Sequence, residues 1–125
     1  MSEIFEKTPE QRLREKLEAF PPEFQELVLA YQTTPTPAAL EQIVLGVIAY
    51  HGGENFVTKR AEKGDAVLLV EDLGFDSLAL VEISFQAEEF VGFIIQIQDF
   101  ADIKTLADLQ AFLRKKLFPA AATAG

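Results

Sequence analysis

The chain has 125 residues, 49% of them hydrophobic, a net charge of −9 and no cysteine. That is room for one domain with a moderate core, too apolar for intrinsic disorder, and it excludes disulfides and thiolate metal sites. Nine of the 20 acidic residues and none of the 11 basic ones lie from Asp65 to Asp102, so the remainder is neutral and the local field repels nucleic acid while steering basic protein surfaces toward that segment.

Met1 to Lys7 holds two glutamates and no apolar run, so no signal peptide is expected. Nothing approaches the ~18 apolar residues of a membrane span, and a cytoplasmic chain is expected. Thr8-Pro9-Glu10-Gln11 is a helix start: a threonine cap, proline in the first position, and a glutamine placed to complete a capping box. Leu13, Leu17 and Phe20 repeat at helical spacing up to Pro21-Pro22, which end this helix, and Pro22 opens a second. There Phe24, Leu27, Val28 and Tyr31 mark one apolar face. Thr33-Thr34-Pro35-Thr36-Pro37 closes the pair as a stiff polar linker.

Thr36-Pro37 repeats the cap-then-proline start. Leu40, Ile43, Val44, Val47 and Ile48 form a wide apolar stripe, and the helix is expected to stop at Gly52-Gly53. His51, the only histidine, is placed by this reading against the dipole at that helix end rather than in catalysis. From Gly52 to Asp65, with Lys59, Arg60 and Lys63, a polar loop is expected. Ala66 to Val70 reads as an extended segment laid across the helices, with no second strand to pair with.

Glu71-Asp72-Leu73-Gly74-Phe75-Asp76-Ser77-Leu78 then runs into a helical pattern from Ala79 to Val91. Gly74 supplies a turn, and either Asp76 or Ser77 offers an oxygen to the first free N–H groups of the helix. The serine thereby stands at a helix N-terminus, where exposed N–H groups and the dipole favour a phosphate. Leu80, Ile83, Ser84, Ala87, Phe90 and Val91 form the core stripe of this helix. On the opposite side Leu78, Val81 and Phe85, flanked by Glu82, Glu88 and Glu89, form a docking surface with the serine at its head. Gly92 caps the helix, Phe93 to Ile97 is apolar, and Gln98 to Asp102 is a short helix. Thr105 and Asp108 cap a last helix carrying Leu106, Leu109, Phe112, Leu113 and Leu117, with Arg114, Lys115 and Lys116 against its C-terminal dipole. Pro119 to Gly125 is a small-residue tail expected to be disordered.

Leu73-Gly74-Phe75-Asp76-Ser77-Leu78, Val81-Glu82, Glu88-Glu89-Phe90, Ile103-Lys104-Thr105-Leu106 and Asp108-Leu109 together resemble an acyl carrier protein, over about residues 37–117 and without gaps from Glu71 onward. The resemblance implies an all-α fold: a four-helix bundle of three longer helices and a short one, here residues 37–118, with 119–125 as tail. Residues 1–36 would be a two-helix N-terminal extension that the family pattern lacks, expected to pack on the bundle and enlarge its core, with a partner-specific or dimerising arm as the alternative. The resemblance further implies that Ser77 bears a 4′-phosphopantetheine arm from coenzyme A, whose thiol holds acyl groups as thioesters. The expected partner-binding residues are Asp76, Leu78, Val81, Glu82, Phe85, Glu88 and Glu89. The implied partners are a phosphopantetheinyl transferase and the acyl-transferring and chain-extending enzymes of a fatty-acid, lipid or polyketide pathway, with the carrier itself a monomer and not an enzyme.

At Ala79 the family commonly has an acidic residue, and Ser84 and Ala87 stand where it has larger aliphatics. The interior could thus accept part of an acyl chain, or the extension fills that space. A serine hydroxyl needs a base to become a nucleophile, and no histidine lies near Ser77 in sequence, so Ser77 reads as a substrate of another enzyme. Two other readings stay open: a helical adapter that binds a partner through Leu78, Val81 and Phe85, and a peptidyl carrier, disfavoured by Asp76 and the acidic surface.

Overall fold

In the computed structural model, which describes residues 6–120, the regular elements are helices. α1 runs Pro9–Lys16, α2 Pro22–Thr33, α3 Pro37–Lys63, α4 Ser77–Val91 and α5 Leu106–Leu117, with 3₁₀ turns at Gly64–Ala66 and Ile97–Ala101. The expected four-helix bundle is α3, α4, the short Ile97–Ala101 turn and α5. The tail beyond Ala120 lies outside the described residues, while Pro119 and Ala120 are helical.

α1, α3, α4 and α5 start where a side chain satisfies free backbone donors, while α2 opens on Pro22 without a side-chain cap. Thr8 accepts the Gln11 N–H at 3.1 Å while Gln11 returns its side chain to the Thr8 N–H at 2.8 Å. Thr36 accepts from Ala39, and Thr105 with Asp108 makes a complete box at the head of α5. Gly92, at φ 77°, ends α4 in the left-handed conformation.

α1 stops at Lys16, short of Pro21. The chain turns there because Leu17 and Phe20 leave the helical path to enter the core, where both are buried. Leu17, Phe20, Phe24, Val28 and Tyr31 belong to one continuous buried cluster with Leu40, Val44 and Ile48 of α3 and Phe90 of α4. The Phe20 ring stacks on Phe24 at 4.6 Å and on Tyr50 at 4.4 Å, and both phenylalanines meet Phe90 edge-on. Phe24 fits only because position 46 of α3 is glycine: a Cβ there would sit 2.3 Å from two of its ring carbons. Gln32 adds a polar tie from α2, donating to the Phe90 carbonyl at 2.9 Å.

The expected stop at Gly52-Gly53 is present as a break in the helix, whereas the loop expected after it needs correction. Gly53 does break the helical geometry, at φ 56° and ψ −140°, a conformation that residues with a Cβ resist. The helix then resumes on a new axis as far as Lys63. It can do so because Phe56 is buried against the core, so that polar run has one apolar anchor facing inward. The segment Val67–Leu69 is extended as expected, but it does find a partner. Leu68 forms an antiparallel bridge with Thr105, the Leu69 N–H donates to the Lys104 carbonyl at 2.9 Å, and the Leu106 N–H to that of Val67 at 3.0 Å.

Candidate functional site: the Ser77 turn and the outward face of α4

The turn that delivers Ser77 is built around Asp72. One carboxylate oxygen accepts the Leu68 N–H at 2.8 Å, the other accepts Lys63 Nζ at 2.7 Å, and the Asp72 carbonyl accepts the Asn55 side chain at 3.0 Å. The Lys63 ammonium first, and the Leu68 N–H with it, hold this carboxyl below its ordinary value of 3.8. The second half of α3 and the 67–75 segment are thereby joined. Leu73 and Phe75, both buried, pin the chain on either side of Gly74, whose φ is 72°.

Beyond Phe75 the question of which residue caps α4 is resolved. Asp76 Oδ1 accepts the Ala79 N–H at 2.9 Å, and Ser77 is the first helical residue. The Ser77 side chain is exposed, and its hydroxyl enters none of the hydrogen bonds that organise the turn. A free hydroxyl therefore stands at the positive end of a fifteen-residue helix.

The outward face of α4 is as the periodicity places it. Leu78 is 65% exposed and Phe85 60% exposed, with Val81 half-buried between them and Glu82 and Glu88 in solvent. Ile83, Ser84, Ala87, Phe90 and Val91 face inward, and the Ser84 hydroxyl donates to the Leu80 carbonyl. Glu89 is the exception on the acidic side, because Lys16 at the end of α1 lies 3.4 Å from its carboxylate. Beyond α4, Ile94 and Ile97 are also exposed, at 54% and 52%. The run Phe93-Ile94-Ile95 hinted at this, since an irregular segment cannot bury three consecutive large side chains.

His51 is not held simply at a helix end. Its Nε2–H donates to Gln86 Oε1 of α4 at 2.9 Å, and its ring packs edge-on to Phe75 at 6.3 Å. The break at Gly53 ends the first axis of α3 within a turn of His51, so the ring stands near that C-terminus and also bonds across to α4. Between α3, α4 and α5 lies a small apolar cavity of about 20 Å³, lined by Val47, Ile83, Gln86, Ala87, Ile95 and Leu109 among others. Gln86 is the polar group in an otherwise aliphatic wall. Space for about one water in a dry apolar setting means that a longer guest enters only if the helices part. Among the described residues no cluster of His, Asp and Glu is placed to hold a metal, and no helix is long and apolar enough to cross a membrane.

Comparison with known proteins gives three findings. A family model described as a phosphopantetheine attachment site matches residues 63–113, which span the Ser77 turn, α4 and most of α5. An acyl carrier protein of Rhodococcus erythropolis is 35% identical over 78 residues, 62% of this chain and 77% of that protein. Meromycolate extension acyl carrier proteins of Mycolicibacterium aurum and Mycolicibacterium smegmatis are 41% identical over 46 residues, 37% of this chain and 47% and 46% of theirs. No solved structure matches.

Proposed function

The chain belongs to the acyl carrier proteins, which hold acyl intermediates as thioesters on a covalently attached 4′-phosphopantetheine, and from that premise we propose that Ser77 is the attachment residue. The observation that carries the proposal is the division of labour at the head of α4. Asp76 takes the capping role that a serine in this setting otherwise performs, so the Ser77 hydroxyl remains exposed and uncommitted. The phosphate of the arm gains the favourable end of the helix dipole. When attached, the arm supplies the thiol that a chain without cysteine lacks. The base that activates Ser77 belongs to a phosphopantetheinyl transferase, and the chain itself works as a carrier rather than a catalyst.

The face that meets this transferase and the loading and extending enzymes is read as Leu78, Val81 and Phe85, with Asp76, Glu82, Glu88 and Glu89 around them. Apolar side chains left in solvent within a purely acidic segment suit partners with a basic rim and an apolar socket. Glu89, already drawn to Lys16, contributes least. The relatives named for meromycolate extension favour acyl chains undergoing extension in lipid synthesis as cargo. The cavity beside Ala87 would shelter the first part of such a chain once α3 and α4 separate.

Incubation with coenzyme A and a broad-range phosphopantetheinyl transferase, followed by intact mass and thiol titration, tests the attachment directly. One phosphopantetheine and one thiol per chain are expected, and neither in Ser77→Ala. An unmodified wild-type chain overturns the reading and leaves a helical adapter in its place. Modification that survives Ser77→Ala moves the attachment to another residue.

A further inference from the structure

The apolar cavity is too small in its resting form to hold an acyl chain, so something must govern how readily α3 and α4 part. Among the described residues the His51–Gln86 contact is the one side-chain hydrogen bond that joins these two helices. Its position is specific. The α3 residues lining the cavity end at Ile48, and His51 lies one turn further along, with its ring against Phe75, two residues ahead of Ser77. Gln86 in turn is the polar member of the cavity wall. On the α3 side the bond thus lies at the end of the cavity nearer the Ser77 turn, on the way in for a chain tethered at Ser77.

We propose that the His51–Gln86 hydrogen bond is a latch over this entrance and sets the shortest acyl chain that the bundle shelters. The inference rests on the sheltering read above and adds the residues that regulate it. Both partners are half-buried, so an entering chain breaks the bond in a place where water only partly replaces it. A saturated chain compensates by burying methylenes. Each methylene is worth about as much as the net value of one such bond, so the latch delays sheltering by about one or two carbons. Edge-on contacts of the His51 ring with Tyr50 and Phe75 hold its Nε2–H in position, which makes the latch a defined group rather than a passing contact.

Two variants separate this role from a merely structural one. Gln86→Leu removes the polar group from the cavity wall, and His51→Phe breaks the bond while keeping a ring on Phe75 and the cavity lining unchanged. Wild type and both variants are loaded enzymatically with acyl-phosphopantetheine from acetyl to dodecanoyl. The melting temperature of each acyl form is then read relative to the free-thiol form of the same protein, which cancels any general loss of stability. The expected result is that the chain length at which stabilisation begins moves shorter by about one or two methylenes in both variants. An identical onset in all three proteins overturns the latch while sheltering stands. If no acyl chain raises the melting temperature of any of them, the sheltering reading falls and takes the latch with it.

Discussion

Replacing Gly46 by alanine asks whether α1 and α2 are integral to the bundle or merely rest on it. The alanine methyl would lie 2.3 Å from Cδ1 and Cε1 of Phe24, more than about 1 Å inside ordinary van der Waals contact. The ring has little room to retreat, because Phe20 stacks on it at 4.6 Å and Phe90 stands edge-on at 5.7 Å. Overpacking of this kind costs up to about 3 kcal/mol, against which alanine gains about 1 kcal/mol over glycine in a helix interior. The net expectation is a loss of about 2 kcal/mol. For a chain of this length that corresponds to a fall in Tm of about 6–12 °C. Urea unfolding followed by near-ultraviolet circular dichroism measures it, with the midpoint falling and the slope unchanged. Combining Gly46→Ala with Phe24→Leu is expected to recover about 1 kcal/mol or more relative to additivity, because the smaller side chain vacates the clashing volume. If Gly46→Ala is neutral or stabilising, then Phe24 does not press on α3, and the account of the N-terminal helices as part of one core is wrong.

Asp72→Asn tests the turn before Ser77. A carboxyl whose folded value is depressed contributes stability above its unfolded value of about 3.8 and loses it as pH falls through the folded value. The variant is therefore expected to melt lower than wild type at pH 7, with the gap closing below pH ~4; a gap that widens on acidification refutes the assignment. Phe85→Ala removes an exposed ring and is expected to change stability by less than about 0.5 kcal/mol while lowering the rate at which partner enzymes act on the loaded carrier. Parallel melting curves and acyl-transfer rates decide this, and an unchanged transfer rate removes Phe85 from the docking face.

What lay open in the sequence was whatever acts within a turn or two of helix. The Thr8, Thr36 and Thr105 caps, the left-handed stop at Gly92 and the inward stripe of α4 follow from side chains three or four positions apart, and each was legible from spacing. The exposed face from Leu78 to Phe85 was legible for the same reason, since a helix that buries one stripe must present the other. The concentration of charge from Asp65 to Asp102 needed only counting. Where the polar composition of residues 54–63 suggested a loop, the one buried ring of Phe56 holds a helix instead, because a single anchored turn suffices once Gly53 has redirected the axis. The fit of Phe24 against Gly46, the pull of Lys16 on Glu89 and the His51–Gln86 bond all join residues far apart in the chain. Such contacts leave no periodic trace: their partners are chosen by how the helices pack, and packing depends on the shapes of all the side chains at once.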